Sequence, residues 1–239
     1  MRTFITTLGR LDAQLTLEFC PWATLVVQAH EYEVHAAKYE NVISLPPEIK
    51  TLGPTRRWVM ENYPGKVVLL DDDLTFYFRN VLGRWHLKNA TKQQMKYLFQ
   101  AIEKALDIYA HVSVSAREGN NTLPDDPQRN IRYMRVLAYN TELIPDHCVP
   151  GRLDGMSDFD LNLQLLRAGL PSLVFTRWAQ GHKGTQTPGG CSLQRTLESH
   201  EAEVNFMVEH HGDFVAKVMK KNKTGGMRER PEVRVQWKK

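Results

Sequence analysis

Three consecutive carboxylates, Asp71-Asp72-Asp73, follow directly on the apolar run Val67-Val68-Leu69-Leu70. The run has the make-up of a buried strand, and the C-terminal ends of strands are where open α/β sheets hold ligands. Adjacent carboxylates repel unless a cation neutralises them. Hard oxygen donors suit Mg²⁺ or Mn²⁺, ions that in turn hold a diphosphate. A solvated acidic turn is the competing reading of the same residues. A second acidic pair, Asp158 and Asp160 in Ser157-Asp158-Phe159-Asp160, opens a predicted helix. Carboxylates there cap free N–H groups and are favoured by the helix dipole. The spacing Asp-x-Asp-Leu-x-x-x-Leu-x-x-x-Gly from Asp158 to Gly169 has more content than a cap. A carboxylate held there at a sheet edge could take a proton from an incoming hydroxyl.

Other residues fit around such a centre. His182, in the run Ala179 to Gly184, is either a solvated loop histidine or a further metal ligand beside the aspartates. Pro188 to Ser192, with Gly189 and Gly190, offers backbone N–H groups to an anion, or is a plain turn. Thr6-Thr7-Leu8-Gly9-Arg10 and Leu52-Gly53-Pro54-Thr55-Arg56-Arg57 each place amides and an arginine near the expected crevice, where a base and diphosphate could dock.

The elements that must position these groups are legible in outline. Strands are predicted at Phe4 to Thr7, Thr24 to Val27, Val67 to Leu70, His111 to Ser115, Met134 to Tyr139 and Ser172 to Thr176. Helices are predicted over residues 55–62, Lys92 to Tyr109, Asp158 to Ala168 and Glu201 to Lys220. Lys92 to Tyr109 carries Met95, Leu98, Phe99, Ile102, Leu106 and Ile108 at three-and-four spacing, and Gly169-Leu170-Pro171 stops the helix from Asp158. Gln28 to Glu33 reads as a polar connection, Gly181 to Ser192 as a glycine-rich loop, and Arg117 to Arg132 as a long polar loop of the kind that carries function. Early alternation of strands and helices implies a mostly parallel twisted sheet flanked by helices in a single α/β domain.

A chain of 239 residues suffices for one substantial core. It has no apolar run of membrane-spanning length, and its first residues lack the apolar stretch of a secretory signal. Cys20, Cys148 and Cys191 are odd in number and widely spaced, as in a cytosolic protein with reduced thiols. From Lys217 to Lys239, nine Lys and Arg face two acids, a net +7 that leaves −3 for residues 1–216. A basic tail on a mildly acidic body points to a polyanion, with nucleic acid the first candidate, although a charge run can also be only a solubilising tail. Within it Trp237, between Arg234 and Lys238, sets a stacking ring beside phosphate-binding charge, while Val233, Val235 and Trp237 also alternate like an edge strand. A base in duplex DNA must be extruded to enter a pocket, and the loop residues Arg117, Asn120, Asn121, Arg129 and Arg132 are expected to contact the DNA.

Together these motifs resemble a GT-A nucleotide-sugar glycosyltransferase, and more narrowly the phage family of TET-associated DNA glycosyltransferases. The matching stretches are Val68 to Arg79, His111 to Asn121, Asp158 to Gly169, Pro188 to Ser192 and Val233 to Lys239. The resemblance implies a GT-A-like fold over residues 1–216, with 217–239 as a basic tail packed on or extending from it. It also implies sugar transfer from a UDP-sugar to a 5-hydroxymethylpyrimidine, chiefly 5-hydroxymethylcytosine, in phage DNA, inside the infected host's cytoplasm. By position, Asp71 and Asp73 become the Asp-x-Asp pair, with Asp73 the direct ligand of Mn²⁺ or Mg²⁺, and His182 the later ligand. Asp158 becomes the catalytic base with Asp160 behind it. Thr7, Arg10, Arg56, Asp72, Gly189 and Gly190 line the donor site. Where such enzymes often carry Glu before the second motif's aspartate, this chain has Ser157. Inverting and retaining transfer both remain open, as do a nucleotidyltransferase using the same metal site and a DNA-binding module without activity.

Overall fold

The computed structural model describes residues 1–80, 86–120, 126–182, 196–221 and 229–238. In chain order the elements are β1 (Arg2–Thr6), α1 (Leu15–Phe19), β2 (Thr24–Val27), α2 (Tyr32–Ala36), β3 (Val42–Ser44), α3 (Leu52–Asn62), β4 (Lys66–Asp71), β5 (Leu74–Arg79), β6 (Leu87–Asn89) and α4 (Lys92–Ala105). There follow β7 (His111–Ala116), α5 (Arg117–Asn120), β8 (Gln128–Arg129), β9 (Val136–Asn140), α6 (Ser157–Arg167), β10 (Leu173–His182), α7 (Leu197–His211), β11 (Val215–Lys221) and β12 (Glu229–Val235).

One sheet runs β3-β2-β1-β4-β9-β7-β10-β5-β6, with β8 also paired to β10. β3, β2, β1 and β4 are mutually parallel, as are β7 and β10. β9 runs against β4 and β7, and β5 and β8 run against β10. Seven of the ten strands thus point one way, the mostly parallel α/β sheet that the alternation of elements implies.

Strand periodicity explains the layering. Side chains alternate between faces, so Val68 and Leu70 of β4 join Ile5 and the α4 residues Met95, Leu98 and Ile102 on one side. Val67 and Leu69 join Phe4, Val59 of α3 and Leu161 and Leu165 of α6 on the other. Helix α4 begins with a capping box between Thr91 and Gln94. A third cluster holds Leu163 of α6, Val204 and Met207 of α7, and Val215 and Val233 of the hairpin β11–β12.

Four expectations change. β10 extends through Gly181 and His182 instead of ending at Thr176, because its second half pairs with β5 after a bulge between Phe175 and Ala179. No element is predicted above for Leu74–Arg79, which forms β5. The last helix ends at His211, and Val215–Lys221 is a strand: its Val and Lys spacing suits a helix, but pairing with β12 decides the outcome. The polar loop after β7 contains α5 and β8. Among the described residues no helix is long and apolar enough to cross a membrane, and Cys20 and Cys148 are buried free thiols. Cys191 lies outside the described residues.

Candidate active site

Register brings the candidate groups to one edge of the sheet. β1 and β4 run in step, with Thr6 beside Asp71, and the pairing of β10 with β5 sets His182 opposite Leu74, next to Asp73. Asp71 closes β4, and Asp72 and Asp73 make the turn into β5. Thr16 of α1 pins that turn: its hydroxyl donates to the Asp71 carbonyl at 2.6 Å and accepts from the Leu74 N–H at 2.9 Å.

The three aspartates have different surroundings. Asp72 is buried; one oxygen accepts from the Thr7 hydroxyl at 2.6 Å and the other from Arg10 Nη1 at 2.5 Å. Burial pushes its carboxyl up to about 6 against the pull of Thr7 and Arg10. Gln14 fixes this arrangement by donating to the Thr7 hydroxyl and the Arg10 carbonyl, each at 2.8 Å. Arg10 also reaches Asp73 Oδ2 at 3.1 Å. Asp71 is met by Arg56 Nη2 at 3.2 Å. Burial raises its carboxyl above the ordinary range, Arg56 and Arg135 oppose this, and the charges of Asp73 and Asp158 add to it.

Arg56 joins the two acidic motifs, because its Nη1 donates to the Ser157 hydroxyl at 2.8 Å. Ser157 therefore belongs to the centre as an acceptor for Arg56. Asp158 is half-buried, accepts from the Phe159 N–H at 3.0 Å, and has its carboxyl raised by burial against the charges of Arg56 and Arg132. Asp160 is not brought to this centre. Two residues on along a helix it points elsewhere, fully buried, where it accepts from Arg152, from His211 Nε2 at 2.8 Å and from Gln164 at 3.0 Å. These contacts outweigh burial and hold its carboxyl below the usual range.

His182 Nε2 lies 3.3 Å from Arg135 Nη2, and its buried Nδ1 has no hydrogen-bond partner among the described residues. Burial and Arg135 lower its proton affinity, while the charges of Asp73 and Asp71 oppose them. Arg135 went unmarked in the sequence. It adopts a left-handed φ of 66°, its carbonyl accepts from the Asp71 N–H at 3.2 Å, and its side chain spans Gln180 and His182. No residue-type pattern announces an arginine in that conformation; Thr16, Gln14 and Tyr77 are equally silent.

The predicted DNA-contact residues separate. Arg117 stacks on Tyr77, 4.4 Å from the ring centroid, and donates to its hydroxyl at 2.9 Å. Tyr77 in turn packs beside Gly181, so Arg117 stands near the His182 end of β10. Arg129 pairs with Leu173 at the opposite end of that strand, roughly 20 Å away once the bulge in β10 is allowed for. Arg132 lies over Phe159, next to Asp158. Trp237 packs edge-on against Phe159, with centroids 5.3 Å apart, and Lys238 follows it. Arg234 is exposed on β12. Asn121, Gly189 and Gly190 lie outside the described residues, and of Asn120 only the backbone, in α5, is described. Among the described residues no three His, Cys, Asp or Glu side chains gather closely enough to hold a metal ion by themselves.

The model of the TET-Associated Glycosyltransferase family matches residues 1–190, from β1 through the aspartates and Asp158 to His182. The chain belongs to that family. This TET-associated glycosyltransferase is also similar to the Beta-glucosyl-HMC-alpha-glucosyl-transferases of Enterobacteria phages T2 and T6. Each is 22% identical over 189 residues, covering 74% of this chain and 68% of the relative. In fold it is similar to a mycobacterial protein of known crystal structure, with a TM-score of 0.53 and 13% identity, over 98% of this chain and 83% of that one. Helix α7 and the hairpin β11–β12, with Trp237 and Lys238 after them, lie beyond the stretch that the family model matches.

Proposed function

We propose that this glycosyltransferase moves a sugar from a UDP-sugar to the hydroxyl of a 5-hydroxymethylpyrimidine in DNA, chiefly 5-hydroxymethylcytosine, with a divalent metal, in the cytoplasm of an infected bacterial cell. The observation that carries this reading is the run of three aspartates ending β4, joined through Arg56 to the second acidic motif. The T2 and T6 relatives, whose names specify HMC, support the acceptor.

The donor set fits Mn²⁺ or Mg²⁺. Sites of this kind use one or two carboxylates and fill the remaining positions with water and substrate phosphates, so Asp71 and Asp73 would suffice as protein ligands. His182, on which the charges of both aspartates act, would join them as a third donor only by moving toward the metal, since the three side chains do not gather closely enough as they stand. When bound, the metal neutralises the departing diphosphate. Thr7 and Arg10, held by Asp72 and Gln14, shape the nucleotide side of the crevice. Asp158, its proton affinity raised by burial, accepts the acceptor hydroxyl's proton.

The relatives' names favour a variant of this reading, since they specify a glucose already attached to HMC and an α-linked product. In that variant the accepting hydroxyl belongs to the attached sugar. Incubation of hydroxymethylcytosine DNA, bare or glucosylated, with Mn²⁺ and a panel of UDP-sugars tests both. After digestion to nucleosides, mass spectrometry should show one added sugar that Asp73→Ala removes. No added mass on either DNA overturns the reading, and release of sugar 1-phosphate in place of UDP indicates nucleotidyl transfer. The anomeric configuration of the product relative to the donor reads out the course: inversion fits Asp158 as base, whereas retention leaves it to orient the acceptor.

A further inference from the structure

A cavity of about 440 Å³ opens where residues 130–132 meet the C-terminal segment, lined by Asn130, Ile131, Arg132, Gln236, Trp237 and Lys238. We propose that it receives the acceptor pyrimidine, swung out of the nucleic-acid stack, on the ring of Trp237. The inference rests on the reading above that DNA is the acceptor, and it names the part of the protein that holds the base.

The volume falls within the range of about 300–1,000 Å³ typical of small-molecule sites. Trp237 is half-buried and held in place, edge-on to Phe159 at 5.3 Å and tilted against Tyr133 at 6.4 Å. A ring fixed in this way offers a stacking face with little ordering cost. Arg132 and Lys238 are exposed on the rim, suited to the phosphates on either side of an extruded nucleotide. Asn130 and Gln236 bring amides, the groups that meet base edges by paired hydrogen bonds. Asn130 is preset: it takes a left-handed φ of 52°, and its side-chain oxygen accepts from the Ser172 N–H at 3.0 Å.

One wall of the cavity is connected to the second acidic motif. Phe159, which supports Trp237, directly follows Asp158, and Arg132 both covers the Phe159 ring at 5.5 Å and acts on the Asp158 carboxylate. A base stacked on Trp237 is therefore linked through Phe159 and Arg132 to the candidate catalytic carboxylate, which Arg56 in turn connects to Asp71. Gln236, Trp237 and Lys238 lie beyond residues 1–190, the stretch that the family model matches.

Fluorescence anisotropy of the full-length protein with a short single-stranded oligonucleotide tests the proposal. One probe carries a single 5-hydroxymethylcytosine, and a second is abasic at that position. Trp237→Ala should weaken binding of the first probe about tenfold or more, Trp237→Phe only about threefold or less, and UDP affinity by calorimetry should not change. The abasic probe should bind wild type more weakly by a similar factor, yet bind Trp237→Ala no worse than the first probe does. Should Trp237→Ala fail to fold, Trp237→Leu keeps apolar packing against Phe159 without an aromatic face and carries the same expectations. Unchanged affinity in the variant, or an equal abasic penalty in wild type and variant, overturns the proposal. Sugar transfer by wild type, measured alongside, separates the two readings. Transfer without Trp237-dependent base binding removes the cavity and leaves the function. Trp237-dependent base binding without transfer from any UDP-sugar does the reverse.

Discussion

Both oxygens of Asp72 are tied within the protein, to Thr7 and Arg10, whereas Asp71 and Asp73 are each met by a single arginine. Three identical residues in a row thus divide their work: Asp72 organises the loop that carries Arg10, and its neighbours face the crevice. In the proposed reaction, the chemistry of the acceptor turns on Asp158. General-base catalysis is worth about 10²- to 10⁴-fold, so Asp158→Asn should lower kcat by about 100-fold or more while leaving UDP affinity unchanged. Because burial raises its carboxyl, the acidic limb of the kcat/KM profile should sit above the ordinary aspartate value of about 4. That limb should vanish in Asp158→Asn. A profile flat down to pH 4 in wild type would remove Asp158 from the base role.

Among elements, α3 and α6 must approach closely for Arg56 to bridge Asp71 and Ser157. The approach is made by glycines. A Cβ on Gly53 would sit 2.3 Å from the Leu153 carbonyl oxygen, and one on Gly151 2.2 Å from the Gly53 carbonyl oxygen. The Gly53 N–H donates to Asp154 at 2.9 Å across the same contact. Gly53→Ala should therefore push α3 off the α6 lead-in, at a cost of about 1–3 kcal/mol in urea unfolding. Transfer activity should fall further than that loss explains, since Arg56 moves with the helix. Unaltered stability and activity would mean that the contact does not set the spacing. On the far side of α6, Asp160 locks the helix to α7 through His211 and to the preceding loop through Arg152. Burial works against its charge, but these partners hold its carboxyl below the unfolded value. A depressed carboxylate contributes stability that is fully present above about pH 4 and is lost as pH falls through its lower folded-state value. Asp160→Ala should cost about 3–5 kcal/mol at neutral pH by leaving His211 and Arg152 with a buried gap. The difference from wild type should shrink in acid, which urea titrations at pH 7 and pH 3 would show.

At the scale of the whole molecule, the basic C-terminal segment is not a loose appendage. Val215 and Val233 are buried with Val204, Met207 and Met156, and Trp237 packs at the border of that cluster. Truncation before Val215 should expose this cluster and lower the melting temperature by several degrees, on the order of 4 °C for each kcal/mol lost, instead of only weakening DNA affinity. Removing only the charge of Lys238 and Arg234 should leave melting unchanged and flatten the dependence of DNA affinity on salt. If truncation leaves melting unaltered and only that salt dependence falls, the hairpin is a tail after all.

Several features follow from local pattern alone. The apolar run before three aspartates reads as a buried strand ending at a charged edge, and the three-and-four spacing of Met95 to Leu106 as a helix that buries one face. The stop after Ala168 lies in Gly169 with its φ of 78°. Strand period, helix period and left-handed glycines act over a few residues, so the chain declares them by itself. Tertiary structure decided what depends on distant partners. β10 reaches His182 because β5 pairs with it; Val215 to Lys221 is a strand because β12 lies alongside. Asp160 leaves the site because Arg152 and His211 bind it, and Arg135 enters because a left-handed turn carries it there. Residue type is the same in either outcome; the free energy that chooses lies in contacts made only once the chain has folded.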